Sequence, residues 1–178
     1  MRKVGAADLA RIAPLVVPLV EARRGRGWTQ EAVAARLGVS PSGFRAWETL
    51  QGVPRTTRYV RWAGDLGFRL VLVDRLSARH TVRRPQGTGR EQHGTGRAAQ
   101  APEVRGLISV LRAERVRCGL TQREVSRRLG VTVETFNRWE RDAEGIRLRA
   151  LAQWVYRLGY DLRLEPVSDA YPAPGGPL

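Results

Sequence analysis

The sequence predicts a mainly α-helical protein made of two tandem copies of one small domain, each closed by a short β-strand. Three observations predict it. The stretch GWTQEAVAARLGVSPSGFRAWE at 27–48 returns as GLTQREVSRRLGVTVETFNRWE at 119–140. The offset is 92 residues without a gap, and over 27–73 against 119–165 it leaves 17 of 47 positions identical, self-similarity that marks duplicated units. The same cap and turn residues recur at the same places in both copies. Each copy then ends in a run of period two, Phe68-Arg69-Leu70-Val71-Leu72-Val73 and Tyr160-Asp161-Leu162-Arg163-Leu164.

The elements follow in order, four to five helices per copy. A first helix is expected at about 15–25 with Leu15 and Leu19 inward, and at about 105–117 with Leu107 and Leu111 inward. Pro18 fits only within a first turn, where its missing N–H costs no bond. Thr121 with Glu124 three places on is a capping box that opens the second helix. Val125 and Leu129 share its inner face, and Gly130 ends it as a left-handed C-cap. Thr132 caps the third helix, which turns Phe136 and Trp139 inward. Copy one repeats this with Thr29, Val33, Leu37, Gly38, Ser40, Phe44 and Trp47, and Pro41 stands at the first helical position, where proline is favoured. Helix, short glycine turn, helix is a helix-turn-helix. A fourth helix near 57–66 and 148–158 buries Trp62 or Trp154 and Leu66 or Leu158.

The alternating runs read as strands. A single strand is not stable alone, so each is expected to pair with the strand of the other copy. The domains are thus 7–73 and 104–167. Between them lies DRLSARHTVRRPQGTGREQHGTGRAAQAPE, 74–103, poor in apolar residues and read as a flexible basic linker. The tail 168–178 reads as disordered. A linker of about 30 residues reaches roughly 30 Å, close to the roughly 34 Å between DNA half-sites one turn apart.

Charge narrows the function. The chain carries 31 Lys and Arg against 17 Asp and Glu, a net +14. Only Lys3 is lysine. Arginine is permanently charged and binds phosphate or guanine with two N–H groups at once, so a polyanion, nucleic acid first, is the expected partner. No apolar run approaches the roughly 18 residues of a membrane helix. The start MRKVGAADLA lacks the apolar core of a secretory signal. With Cys118 as its one cysteine, the chain suits a reducing cytoplasm, and a DNA-binder would sit on the nucleoid of a prokaryote or phage.

The pattern G-x-T-Q-x-x-V-[A/S]-x-x-L-G-V-[S/T]-x-x-x-F-x-x-W-E, present in both copies, resembles the Cro/C1 repressor-like helix-turn-helix family. The resemblance covers about two thirds of the chain. It implies a DNA-binding regulator. It implies that Gln30 and Gln122 bind phosphate and brace a base contact. It also implies ion pairs joining helix one to the end of the recognition helix, Arg23 with Glu48 and Arg115 with Glu140. The trailing strands look like those of subfamilies, antitoxin repressors among them, whose strands pair across a dimer. One departure is plain: the loop after Glu48 keeps the family's Gly and Pro as Gly52 and Pro54, whereas copy two keeps only Gly145.

A recognition helix sets its first residues on base edges in the major groove. Copy two offers Thr132, Val133, Glu134, Asn137 and Arg138, a set that can meet thymine methyl, cytosine, adenine and guanine. Copy one offers Ser40, Ser42 and Arg45 on a face of small residues, with Arg45 the main reader. Thr29, Gln30, Arg55, Arg58, Thr121, Gln122, Arg141 and Arg147 are candidate phosphate contacts, which position without specifying. Unequal recognition helices on one chain imply unequal half-sites.

No enzyme is visible in the sequence. Its two histidines, His80 and His93, lie in the linker, which leaves no metal cluster or histidine-based catalytic set, and no cofactor is expected. GTGR lacks the flanking strand and helix of a phosphate loop. The expected function is sequence-specific double-stranded DNA binding in transcriptional regulation, repression rather than activation, by a single chain acting as a pseudo-dimer on an asymmetric site. Two alternatives stand beside it: an antitoxin that represses its own operon and binds a toxin, and a protein-interaction adaptor that reads no DNA. A homodimer of whole chains is compatible with each.

Overall fold

A computed structural model describes residues 5–75, 82–83, 101–143 and 145–167. Most of the stretch read as linker, the whole tail 168–178 and both histidines fall on residues outside that set. The first unit holds α1 (Ala6–Gly25), α2 (Gln30–Leu37), α3 (Pro41–Glu48), α4 (Thr56–Asp65) and β1 (Phe68–Asp74). A short β2 (Val82–Arg83) follows. The second unit holds α5 (Ala101–Arg117), α6 (Gln122–Leu129), α7 (Val133–Asp142), α8 (Leu148–Arg157) and β3 (Tyr160–Pro166). The protein is mainly helical, with four helices and a C-terminal strand to each unit.

Local chemistry sets the boundaries. The hydroxyls of Thr29, Ser40, Thr121 and Thr132 each accept the backbone N–H three residues on. Thr121 and Glu124 complete the reciprocal capping box, which satisfies two otherwise orphaned donors. Gly38 at φ 63° and Gly130 at φ 67° turn the chain between the two helices of each motif. A side chain there would strain the backbone.

The first helix departs from expectation. It starts at Ala6, and both Pro14 and Pro18 lie inside it. A mid-helix proline forfeits a hydrogen bond and costs roughly 3 kcal/mol. The two prolines are four residues apart, on a stripe away from the buried Ile12, Leu15, Val16 and Leu19. The extra turns are held from far along the chain. Gln153 donates to Asp8 at 2.7 Å, and the Arg11 guanidinium lies 4.0 Å from the centre of the Tyr156 ring. Helix α5 also starts early, at Ala101, and β2 sits beyond the expected end of the first domain. Ordered structure thus enters the stretch read as linker at both ends.

Each unit is centred on an aromatic pair. Phe44 meets Trp62 edge to face at 5.0 Å, and Phe136 meets Trp154 likewise at 4.7 Å. All four rings are fully buried. Trp139 is buried too, while Trp47 is only partly so. Trp28, whose counterpart in copy two is Leu120, packs partly buried against the core, with Arg36 over its ring.

The two units are packed together, not strung as beads. Strands β2, β1 and β3 form one antiparallel sheet with β1 central. Leu70 faces Leu164 and Leu72 faces Leu162. Helix α1 lies on α8 and β3, and α5 lies on α4. The Leu70 N–H donates at 3.4 Å to Glu103 of α5, so it points away from β3. Burial raises the Glu103 carboxyl above its usual range, and that backbone bond opposes the rise.

The contact is reciprocal. Val71 pairs with Arg163, its own counterpart at the 92-residue offset. Arg55 forms a β-bridge with its own counterpart, Arg147. Flanking that bridge, Thr56 N–H donates to Ile146 O at 2.9 Å and Leu148 N–H to Pro54 O at 3.0 Å. Exchanging the units turns each of those bonds into the other. Such exchange is the mark of an isologous, two-fold contact, here made inside one chain. Hydrogen exchange offers a check. Because Leu70 N–H points outward, Val71 and Arg163 belong to the hydrogen-bonded pairs. Their amides should be among the slowest in the protein, and fast exchange at both would contradict the pairing.

Candidate nucleic-acid interface

The site rests on one hydrogen-bonded knot, built twice. Glu48 ends α3 with its side chain 3% exposed, and Arg23 reaches it from α1 at 8%. Arg23 Nε and Nη2 donate to its two oxygens at 2.6 and 3.0 Å. The third arm, Nη1, donates to Trp28 O at 2.6 Å. Gln30, first residue of α2, donates its amide to Glu48 Oε2 at 2.6 Å. Copy two is superimposable in its chemistry. Arg115 donates to Glu140 at 2.7 and 3.0 Å and to Leu120 O at 2.6 Å. Gln122 donates to Glu140 Oε2 at 2.7 Å. One carboxylate therefore ties the first helix, the start of the second and the end of the third.

From that frame α3 and α7 present their outer faces. Ser40, Ser42 and Arg45 are exposed on α3, and Thr132, Glu134, Asn137 and Arg138 on α7, with Val133 partly so. The α3 face is short: Ser40 caps Gly43 N and its hydroxyl lies 3.4 Å from that of Ser42. Arg45 Nε donates to Gln30 Oε1 at 3.4 Å. The glutamine that grips Glu48 thus also steadies Arg45, whose outer guanidinium nitrogens bond to nothing among the described residues. Copy two has Asn137 in place of Arg45. At α7, its own backbone N–H and then the Thr132 hydroxyl hold the Glu134 carboxyl below the usual range, so it stays an acceptor.

The candidate phosphate contacts divide. Thr29 and Thr121 are exposed caps. Gln30 and Gln122 donate inward, to the knot, and Gln30 also accepts from Arg45 on the outer face of α3. Arg58 and Arg141 are exposed, on the first turn of α4 and the last of α7. Arg55 and Arg147 are exposed as well, but they meet each other where the units join. Sequence reasoning missed that meeting. The alternating runs could not have shown it: their antiparallel pairing sets Val71 against its own counterpart Arg163, and the Arg55–Arg147 bridge lies outside them.

Among the described residues, no group of three or more His, Cys, Asp or Glu could hold a metal ion. No helix there is long and apolar enough to cross a membrane. A helix-turn-helix family model matches the chain twice, over residues 19–72 and 111–163. No curated protein and no solved structure matches it.

Proposed function

The chain belongs to the Cro/C1-type helix-turn-helix family, a family of DNA-binding regulators, and from that premise we propose that it is a sequence-specific repressor acting as a single-chain pseudo-dimer. Each unit reads one half-site, and the site is asymmetric. The carrying observation is the reciprocal contact between units that bear unequal recognition helices. A two-fold contact sets two readers on one duplex as a symmetric dimer would. Unlike a symmetric dimer, this one offers different side chains at its two ends. Ser40, Ser42 and Arg45 read one half-site. Thr132, Val133, Glu134, Asn137 and Arg138 read the other. Repression follows from occupancy of the site alone.

Selection of bound sequences from random DNA, with the mass of the complex on the winning site, tests this. One chain on a non-palindromic site is the expected result. Two chains on a perfect palindrome would refute it. Within that site, Arg138→Ala should lose about 1–3 kcal/mol of specific binding and relax the choice at one base pair, while random DNA is bound almost as before. An unchanged ratio of specific to random binding would remove Arg138 from the readers.

A further inference from the structure

We infer that the free edge of β3 is a docking surface for the β3 of a second copy of this chain, so that two sheets join edge to edge when chains are concentrated. The pairing between the strands of the two units is already met inside one chain. What it leaves is an unequal pair of outer edges. Odd-numbered residues of β1 and β3 turn their backbone groups toward each other. Just past the two ends of the pairing, Arg75 N–H donates to Gly159 O at 3.0 Å and Val167 N–H to Gly67 O at 2.9 Å. Backbone groups alternate sides along a strand. Leu70 and Leu72 therefore turn theirs to one outer edge of the pair, and Leu162 and Leu164 to the other.

The first edge is covered. Leu72 pairs with β2 at Arg83, and Leu70 N–H donates to Glu103 of α5. The second edge is not, and β3 ends the sheet. At the 92-residue offset the counterpart of Glu103 is Arg11. A guanidinium has no acceptor to offer, and Arg11 is turned to Ala7 O and the Tyr156 ring. At the same offset from Val82 and Arg83 the sequence has Pro174 and Gly175, and proline has no N–H for a ladder. Among the described residues, nothing pairs with the outward N–H and C=O of Leu162 and Leu164. An unpaired strand edge is a template for another strand.

Charge says which strand. Asp161, Arg163 and Glu165 alternate along β3 with Leu162 and Leu164, so the charges share one face and the leucines the other. Arg163 is exposed and meets no carboxylate among the described residues. Two β3 strands related by a two-fold axis run antiparallel and can centre on an odd or an even residue. An odd centre sets a charge against its like: with Arg163 on the axis, Asp161 also faces Glu165. Like charges directly opposite are destabilising. An even centre, Leu162 or Leu164, sets leucine against leucine on the axis. It also sets Arg163 against Asp161 or Glu165 of the second copy, twice in either case. β3 thus carries its own complement. Pro166 ends the stretch that can donate, so the contact is short and weak, and dilute chains stay single.

The test uses the full chain without DNA, so its outcome is independent of the reading in the previous subsection. In sedimentation the mass should rise from that of one chain toward that of two as concentration increases. Hydrogen exchange should slow with concentration at the Leu162 and Leu164 amides and stay unchanged at Arg163, whose N–H already faces β1. Arg163→Glu, at an exposed side chain, turns two attractive pairs into repulsive ones. It should weaken the association about tenfold and leave the melting temperature of the dilute chain unchanged. The mass of one chain at every concentration would overturn the inference. So would an association that Arg163→Glu leaves as strong, or one in which the Leu162 and Leu164 amides exchange as fast as in the dilute chain.

Discussion

Glu140→Ala should destabilise the protein by about 3–5 kcal/mol, the largest single-residue effect expected here. Its carboxylate accepts from Arg115 twice and from Gln122 once, with its side chain 2% exposed and that of Arg115 10% exposed. Alanine leaves a buried guanidinium with only Leu120 O for company. Breaking a buried pair by removing one partner costs in that range because a charge is stranded. A whole domain holds only about 5–15 kcal/mol. Glu48→Ala should behave the same way, since Arg23 and Gln30 make the same three bonds. Replacing Arg115 and Glu140 together by leucine should be much milder, because no charge is then stranded. Urea unfolding of the single and double variants reads this directly. A loss below about 1 kcal/mol for Glu140→Ala would show that the knot orients the recognition helix without supporting the fold.

The second large effect concerns how the halves are joined. A fragment starting at residue 101, the second unit alone, should bind the selected site at least a hundredfold more weakly than the full chain, the low end of what linking two modules contributes. It loses one reader, and β3 loses the strand it pairs with along its whole length. A full chain cut once between residues 84 and 100 should bind within a few-fold of the intact one. The β1–β3 pairing, the Arg55–Arg147 bridge and the packing of α1 on α8 hold the halves without the covalent link. Titrations at matched salt, with gel filtration of the cut protein, measure both. Separation of the cut halves and collapse of affinity would mean that the linker is a mere tether, as the sequence alone suggests.

Much of each unit was legible because its signals are local. Thr121 and Glu124 stand three apart, Gly38 and Gly130 must turn left-handed, and Pro41 suits a first turn. None needs knowledge of a distant residue. The strand pairing was legible too, since two lone period-two runs leave each other as the nearest partner. The first turns of α1 were not. Local rules stop a helix at Pro14 and Pro18, and what overrides them is Gln153, 145 residues away. The outer faces proposed to read bases were legible only as exposed positions. The Gln30–Arg45 bond and the meeting of Arg55 with Arg147 depend on how elements dock, which periodicity cannot report.

The partner strand of β3 lies on the same polypeptide, and this bears on dose. A regulator assembled from separate monomers loses its paired form on dilution, and its occupancy rises with the square of concentration when monomers prevail. Here the two halves meet by a unimolecular step, so the fraction with a complete sheet is independent of how many copies a cell holds. Occupancy of a site bound by one such chain then rises in simple proportion to concentration at low dose, without a threshold. The same covalent unity lets the two halves diverge: a substitution in α3 changes one end of the reader, where in a homodimer it would change both.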